Sequence, residues 1–177
     1  MNLEFSSNAP KSSKAALEEL LFFNARQHRV REGIVNSLAK FGHPRLVETE
    51  GGLSVRVGTQ EAQTLFAFDR RRTKDPVGVV VFIRTSPSDI VIMHVAVHPA
   101  YGLQSRELGI GLGVVLIEKV KEVATRIVGV KRILLFYRKE VVIQVTPRQS
   151  AKPVSGMEVT LGKDTSLTHS SQLKPLR

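Results

Sequence analysis

The chain contains no cysteine and no tryptophan, and only two tyrosines. Without cysteine there is no disulfide framework, no thiolate metal site and no thiol nucleophile. Aromatics make up 6% of the residues and do not interleave with the basic residues, which argues against a stacking platform for single-stranded nucleic acid. Apolar runs are interrupted by Arg, His or Lys well short of the roughly 20 residues a membrane-spanning helix needs. Residues 1–25 show no basic start followed by an apolar stretch and a small-residue cleavage site, so the expectation is a cytoplasmic protein without a membrane partner. The three histidines His28, His43 and His169 have no metal-ligand spacing with one another or with carboxylates, and no metal is expected.

Acidic residues are also scarce. Sixteen Asp and Glu face 26 Lys and Arg, a net charge of +10. Such a balance favours anionic or macromolecular partners, although it speaks of association rather than fold. The densest basic cluster, Arg70-Arg71-Arg72 with Lys74, lies between two apolar runs and reads as a solvated turn. At 177 residues, 42% hydrophobic and 24% charged, the chain has the size and composition of about one globular domain.

Residues 2–6 alternate weakly, as a short strand would. Ser12 and Ser13 are candidate N-caps for a helix through Ala15, Leu17, Leu20, Leu21 and Phe23. A second helix carries Val30, Ile34, Leu38 and Phe41 and is stopped by Gly42 and Pro44. The apolar run Leu20-Leu21-Phe22-Phe23 reads as core and is compatible with a homodimer contact. Gly51-Gly52 between 46–50 and 53–57 signals a hairpin. Further strands are expected over 64–68, 77–85 and 90–97, the last two so rich in β-branched residues that both faces should be covered. Pro99 ends that series. Ile110, Val114, Ile117, Val120, Ala124 and Ile127 return at helical intervals, giving a helix over 110–128 that Gly129 stops. A strand over 132–137, running on through 141–145, completes a βαβ unit, so it should lie parallel to 90–97. From Pro147 onward Ser, Thr, Lys, Pro and Gly dominate. The reading is therefore a domain over 1–146 and a loosely attached tail over 147–177.

The segment Val95-Ala96-Val97-His98-Pro99 through Arg106-Glu107-Leu108-Gly109-Ile110-Gly111-Leu112 joins a buried strand to an amphipathic helix. Glycines there let the backbone approach an anion, and the unpaired N–H groups at a helix start favour phosphate. Arg106 adds a charged donor. The alternative is a tight turn whose glycines serve packing only. No Gly-Lys-Ser/Thr follows, and the glycine spacing is not that of a dinucleotide fingerprint.

Arg106-x-x-Gly109-x-Gly111, after Val-Ala-Val-His-Pro and before a helix, resembles the acyl-CoA-binding motif of the GNAT superfamily of N-acyltransferases over residues 77–137. The resemblance implies an α/β fold with a mixed, mostly antiparallel sheet, a parallel βαβ unit and flanking helices. It implies a bulged strand that splays from its parallel neighbour, with Val95, Ala96 and Val97 alongside the pantetheine arm of acetyl-CoA or another acyl-CoA. Arg106, Glu107, Leu108, Gly109, Ile110, Gly111 and Leu112 would hold its pyrophosphate, and an acceptor amine would attack the thioester. His94 is the candidate base, with neutral imidazole chemistry near pH 7; the alternative is a hydrogen-bonded histidine on the sheet. Tyr137 is the candidate acid for the leaving thiolate, and Tyr101 a candidate cover for the cofactor. Glu48 and Glu50 are carboxylates on an early strand, and His98 is held extended by Pro99. The sequence departs from the family pattern in the longer loop Ala100–Ser105 and in residues 138–177, which show no helical pattern and no Tyr. That departure keeps a second class open, a CoA-binding sensor or scaffold without turnover. A nucleic-acid-binding protein with a glycine turn is the third.

Overall fold

A computed structural model describes residues 2–22, 31–59, 62–102, 111–136 and 141–147. The fold is mixed α/β. Strand β1 (Leu3–Ser6) is followed by a 3-10 turn (Lys11–Ser13), helices α1 (Lys14–Phe22) and α2 (Arg31–Phe41), and the hairpin β2 (Pro44–Thr49) and β3 (Gly52–Val57). Then come β4 (Gln63–Asp69), β5 (Pro76–Ser86), β6 (Asp89–Val97), a second 3-10 turn (Pro99–Tyr101), helix α3 (Leu112–Ala124), β7 (Arg132–Leu135) and β8 (Val142–Gln144).

Six strands form one sheet in the order β1-β4-β5-β6-β7-β8, antiparallel except for the β6–β7 pair. The expected parallel crossover is therefore present, with Asp89 opposite Arg132 and Ile92 opposite Leu135. Arg132 clamps its own register: Nε and Nη2 donate to the two carboxylate oxygens of Asp89 at 2.7 and 3.0 Å. That fork geometry, helped by the Ser86 hydroxyl at 2.8 Å, holds the Asp89 carboxyl down at about 2.

Four details differ from the sequence reading. The β2–β3 hairpin is a separate two-stranded sheet, because Leu53, Val55 and Val57 bury their side chains against the α1 side of the main sheet rather than extending it. Helix α3 ends at Ala124 and not at 128; the N–H groups of Arg126 and Ile127 bond back three residues, to Val123 and Ala124, which tightens the chain into turns. Strand β8 is distinct from β7 and folds back antiparallel on it. Ser13 does not cap: its hydroxyl donates to Asp75 Oδ1 at 2.7 Å, and the 3-10 turn is entered from Pro10.

Two buried clusters sandwich the sheet. On one face Leu17 and Leu21 of α1 meet Phe66, Phe68, Val79, Val81 and Met93. On the other, Leu112, Leu116, Val120 and Ala124 of α3 meet Val80, Phe82, Ile90 and Ile92. The near-continuous apolar run of β5 follows from this double coverage. Gly78 is where α3 sits closest, since a Cβ there would lie 2.8 Å from Leu112 Cδ2 and 3.1 Å from Leu116 Cδ1. The basic Arg70–Arg72 cluster is an exposed turn, as expected, with Arg70 Nε donating to Glu4 at 2.8 Å and its guanidinium stacked 4.2 Å from the Phe68 ring centre.

Candidate functional site

Strand β6 carries the irregularity on which the site is built. His94 pairs with Val81, yet the next β5 residue, Phe82, pairs with Ile92. Met93 is thus the extra residue of a β-bulge, and Met93 and His94 both turn toward the α1 side. The pairing with β7 ends at Ile92 and Leu135, with the Phe136 N–H on Ile92 O at 3.2 Å, while β6 runs on to Val97. The bulge and the end of the parallel pairing therefore fall at the same place. Helix α2 covers it: Ser37 Oγ donates to Met93 O at 3.3 Å, and Phe41 meets Phe136 edge-on with ring centres 5.1 Å apart.

His94 is buried, and its ring is held by a hydrogen bond with the backbone of Leu21. Removal from water outweighs that bond and lowers its pKa to about 4, so the imidazole is neutral at pH 7 and a weak base. Beyond the bulge the strand alternates again. Ala96 is buried on the α1 face. Val95 and Val97 pack on the α3 face, where a Cβ on Gly113 would lie 3.9 Å from Val95 Cγ1 and 3.8 Å from Val97 Cγ2.

The start of α3 lies against this part of the strand. Gly111 is its N-cap residue at φ 72°, ψ 144°, a conformation that side chains resist, and no side chain caps the helix. Leu112 is fully buried under Gly78. The structure thus brings together Val95, Val97, Gly111 and Leu112 of the expected cofactor residues, with Ala96 on the opposite face. Arg106, Glu107, Leu108, Gly109, Ile110 and the candidate acid Tyr137 lie outside the described residues, as do His28 and His169.

Other candidates are placed elsewhere. Glu48 is exposed, with Lys11 and Lys14 at 3.9 and 3.7 Å. Glu50 sits in the exposed β2–β3 turn, and His43 is exposed. Tyr101 does not face outward over the helix start. It is buried, and its hydroxyl donates to Asp69 Oδ2 at 3.2 Å, tying the turn after β6 to the end of β4. Burial foremost, and then the Asp69 carboxylate, raises the phenol's pKa. His98 begins that turn, its Nδ1 accepting the Ala100 N–H at 3.3 Å. Among the described residues no group of three or more His, Asp or Glu is arranged to hold a metal, and no helix is long and apolar enough to cross a membrane.

One feature escaped the sequence reading. A cleft of about 530 Å³ opens between α1, the β4–β5 turn and the turn after β6. Its walls come from residues 16–20, 72–77 and 98–101, segments so far apart in the chain that no local pattern could have joined them. No family model, curated protein or solved structure matches this chain.

Proposed function

We propose that the protein is an acyl-CoA-dependent N-acyltransferase of the GNAT kind. The observation that carries this reading is the coincidence at one place of three things: the Met93 bulge, the end of the β6–β7 parallel pairing, and a helix start whose N-cap glycine stands at positive φ. Several residues fit an acyl-CoA. A helix N-terminus entered through Gly111 offers backbone N–H groups and the positive end of the dipole to a pyrophosphate. The outer half of β6, Val95 to Val97, offers an extended backbone along which a pantetheine arm would align. The cosubstrate would supply the activated acyl group as a thioester. The chain's own part is to align that thioester and to admit an amine beside it.

The neutral, buried His94 favours one other reading, binding of acyl-CoA without turnover, because its low pKa makes it a poor proton acceptor. Both readings are tested by thermal unfolding of the full chain against acetyl-CoA, followed by release of free thiol with a panel of amines. Binding to the folded state alone adds about 2.7 kcal/mol at a hundredfold excess over Kd. A saturable rise in midpoint that Gly109→Val abolishes, with thiol release that depends on an amine, is the expected result. A rise without thiol release selects the silent module. No rise on folded protein rejects both.

A further inference from the structure

The cleft beside α1 has a charge character opposite to that of the chain around it. Its polar lining is Glu19 from α1, Arg72, Thr73 and Asp75 from the β4–β5 turn, and His98 and Tyr101 from the turn after β6. Arg72 Nε lies 3.8 Å from Oδ2 of the buried Asp69 carboxylate. Asp75 is built in but not neutralised. Ser13 Oγ donates to its Oδ1 at 2.7 Å and its own N–H donates to Thr73 Oγ1 at 3.0 Å, yet no cationic side chain pairs with it among the described residues. Glu19 likewise has no ion pair among the described residues, in a chain with 26 Lys and Arg.

The remaining groups set what else a ligand can offer. His98 Nδ1 is occupied as an acceptor, which puts the neutral ring's proton on Nε2 and makes that atom a donor. The Tyr101 hydroxyl is committed to Asp69, which leaves its ring as a wall. The cleft therefore combines two carboxylates that no cationic side chain pairs with among the described residues, donors from Arg72 and His98, and an aromatic face. Its volume lies in the range of small-molecule sites. A surface of net charge +10 repels organic cations elsewhere.

We propose that this cleft binds a small protonated amine that also carries a hydrogen-bond acceptor, the ammonium between Glu19 and Asp75 and the acceptor toward Arg72 and His98. The binding does not depend on the acyl-transfer reading above. Net charge alone favours an anionic or macromolecular partner, whereas the local charge of the cleft argues for a small cation at this one place.

The test is calorimetric titration of the full chain, without acyl-CoA, using ethanolamine, β-alanine, propylamine and propionate at constant ionic strength and neutral pH. Saturable binding of ethanolamine and β-alanine, weaker binding of propylamine and none of propionate is expected. Glu19→Gln and Asp75→Asn should each weaken ethanolamine by about tenfold, the loss of one charge-assisted contact. Asp75→Asn retains an oxygen for the Ser13 hydroxyl, and an unchanged unfolding midpoint checks that each variant is folded. No saturation up to about 20 mM, where even millimolar affinity would show, overturns the proposal. So does propionate binding as well as the amines, or variants that bind as the parent does. Titration with acetyl-CoA is scored separately. Amine binding without an acetyl-CoA effect keeps the cleft and rejects acyl transfer; the reverse keeps acyl transfer and rejects the cleft.

Discussion

The two faces of the central sheet are built differently. The α3 face is closed by Leu112, Leu116, Val120 and Ala124, all fully buried, over Gly78, Val80 and Ile92. The α1 face takes in polar groups: Ser13 bonded to Asp75, Ser37 on the bulge carbonyl of Met93, Thr64 accepting the Val55 N–H, and His94 against Leu21. Each of these is a cost unless it is partnered, and each of these residues makes at least one hydrogen bond. A dry, close-packed face fixes the position of α3 and hence of its N-terminus. The polar face is where the bulge and the buried imidazole are found, and α1 on that side forms one wall of the cleft. Scaffold and chemistry are thus divided between two sides of the same strands.

The largest change in stability is expected on the dry face. Leu116→Ala removes a fully buried side chain that nothing nearby can replace, and should cost about 3–4 kcal/mol in denaturant unfolding. A cost below about 1 kcal/mol would mean that α3 rides loosely on the sheet and cannot hold a phosphate site in place.

The next effect belongs to the polar face and depends on pH. The unfolded chain protonates His94 near its ordinary 6.5, whereas the folded chain resists until about 4. Unfolding therefore takes up a proton in this window. Stability is full above about pH 6.5 and falls as the pH drops toward 4, by on the order of 3 kcal/mol. His94→Gln should flatten that slope. A second loss follows at still lower pH, below the ordinary 3.8 of an aspartate and through about 2, as Asp89 is protonated and releases Arg132. Denaturant midpoints at a series of pH values separate the two windows. A parent profile that is flat between pH 6.5 and 4 would mean that His94 is hydrated in solution.

Tyr101→Phe probes the join between the faces. It leaves the buried Asp69 carboxylate short of one hydroxyl donor at 3.2 Å, with the Arg71 N–H at 3.3 Å still in place. A loss of about 1.5–2 kcal/mol is expected for a bond to a charged acceptor. The same turn carries His98 and the Tyr101 ring of the cleft, so the variant should also weaken ethanolamine. Ethanolamine binding as tight as the parent's would show that the turn holds without this bond.

These contrasts were unevenly legible in the sequence. The near-continuous β-branched runs of 77–85 and 90–97, with the helical spacing over 110–128, were enough for the double-covered strands and the parallel crossover. Pairing partners were partly legible: Gly51-Gly52 marked the hairpin, but not that Leu53, Val55 and Val57 would set it on the core as a separate sheet. The bulge at Met93 has no signature in Ile-Val-Ile-Met-His-Val; only the resemblance implied it. Ser13 looked like a cap because caps are local, whereas its real partner, Asp75, is 62 residues away. The cleft was invisible for the same reason. Burial and long-range pairing, which set the pKa of His94 and the charge of the cleft, exist only once the chain is folded.

On the dry face an added methyl can also stabilise. Gly113 lies in the first turn of α3, and its φ is not in the left-handed region. A Cβ there would meet Val97 Cγ2 at 3.8 Å and Val95 Cγ1 at 3.9 Å, ordinary contact distances. Alanine therefore fits without a clash and removes the helix penalty of glycine. Gly113→Ala should stabilise the protein by a few tenths to about 1 kcal/mol. Gly78→Ala, on the strand beneath α3, meets Leu112 at 2.8 Å and should destabilise by about 1–3 kcal/mol. Two glycines on one face, given the same added methyl, should move the unfolding midpoint in opposite directions. Gly113→Ala also brings its methyl against Val95 and Val97, the stretch of β6 assigned to the pantetheine arm. A stabilised variant that binds acetyl-CoA as tightly as the parent would place the arm along the backbone edge of β6 and not over these side chains. A stabilised variant that loses acetyl-CoA would place it on the side chains themselves.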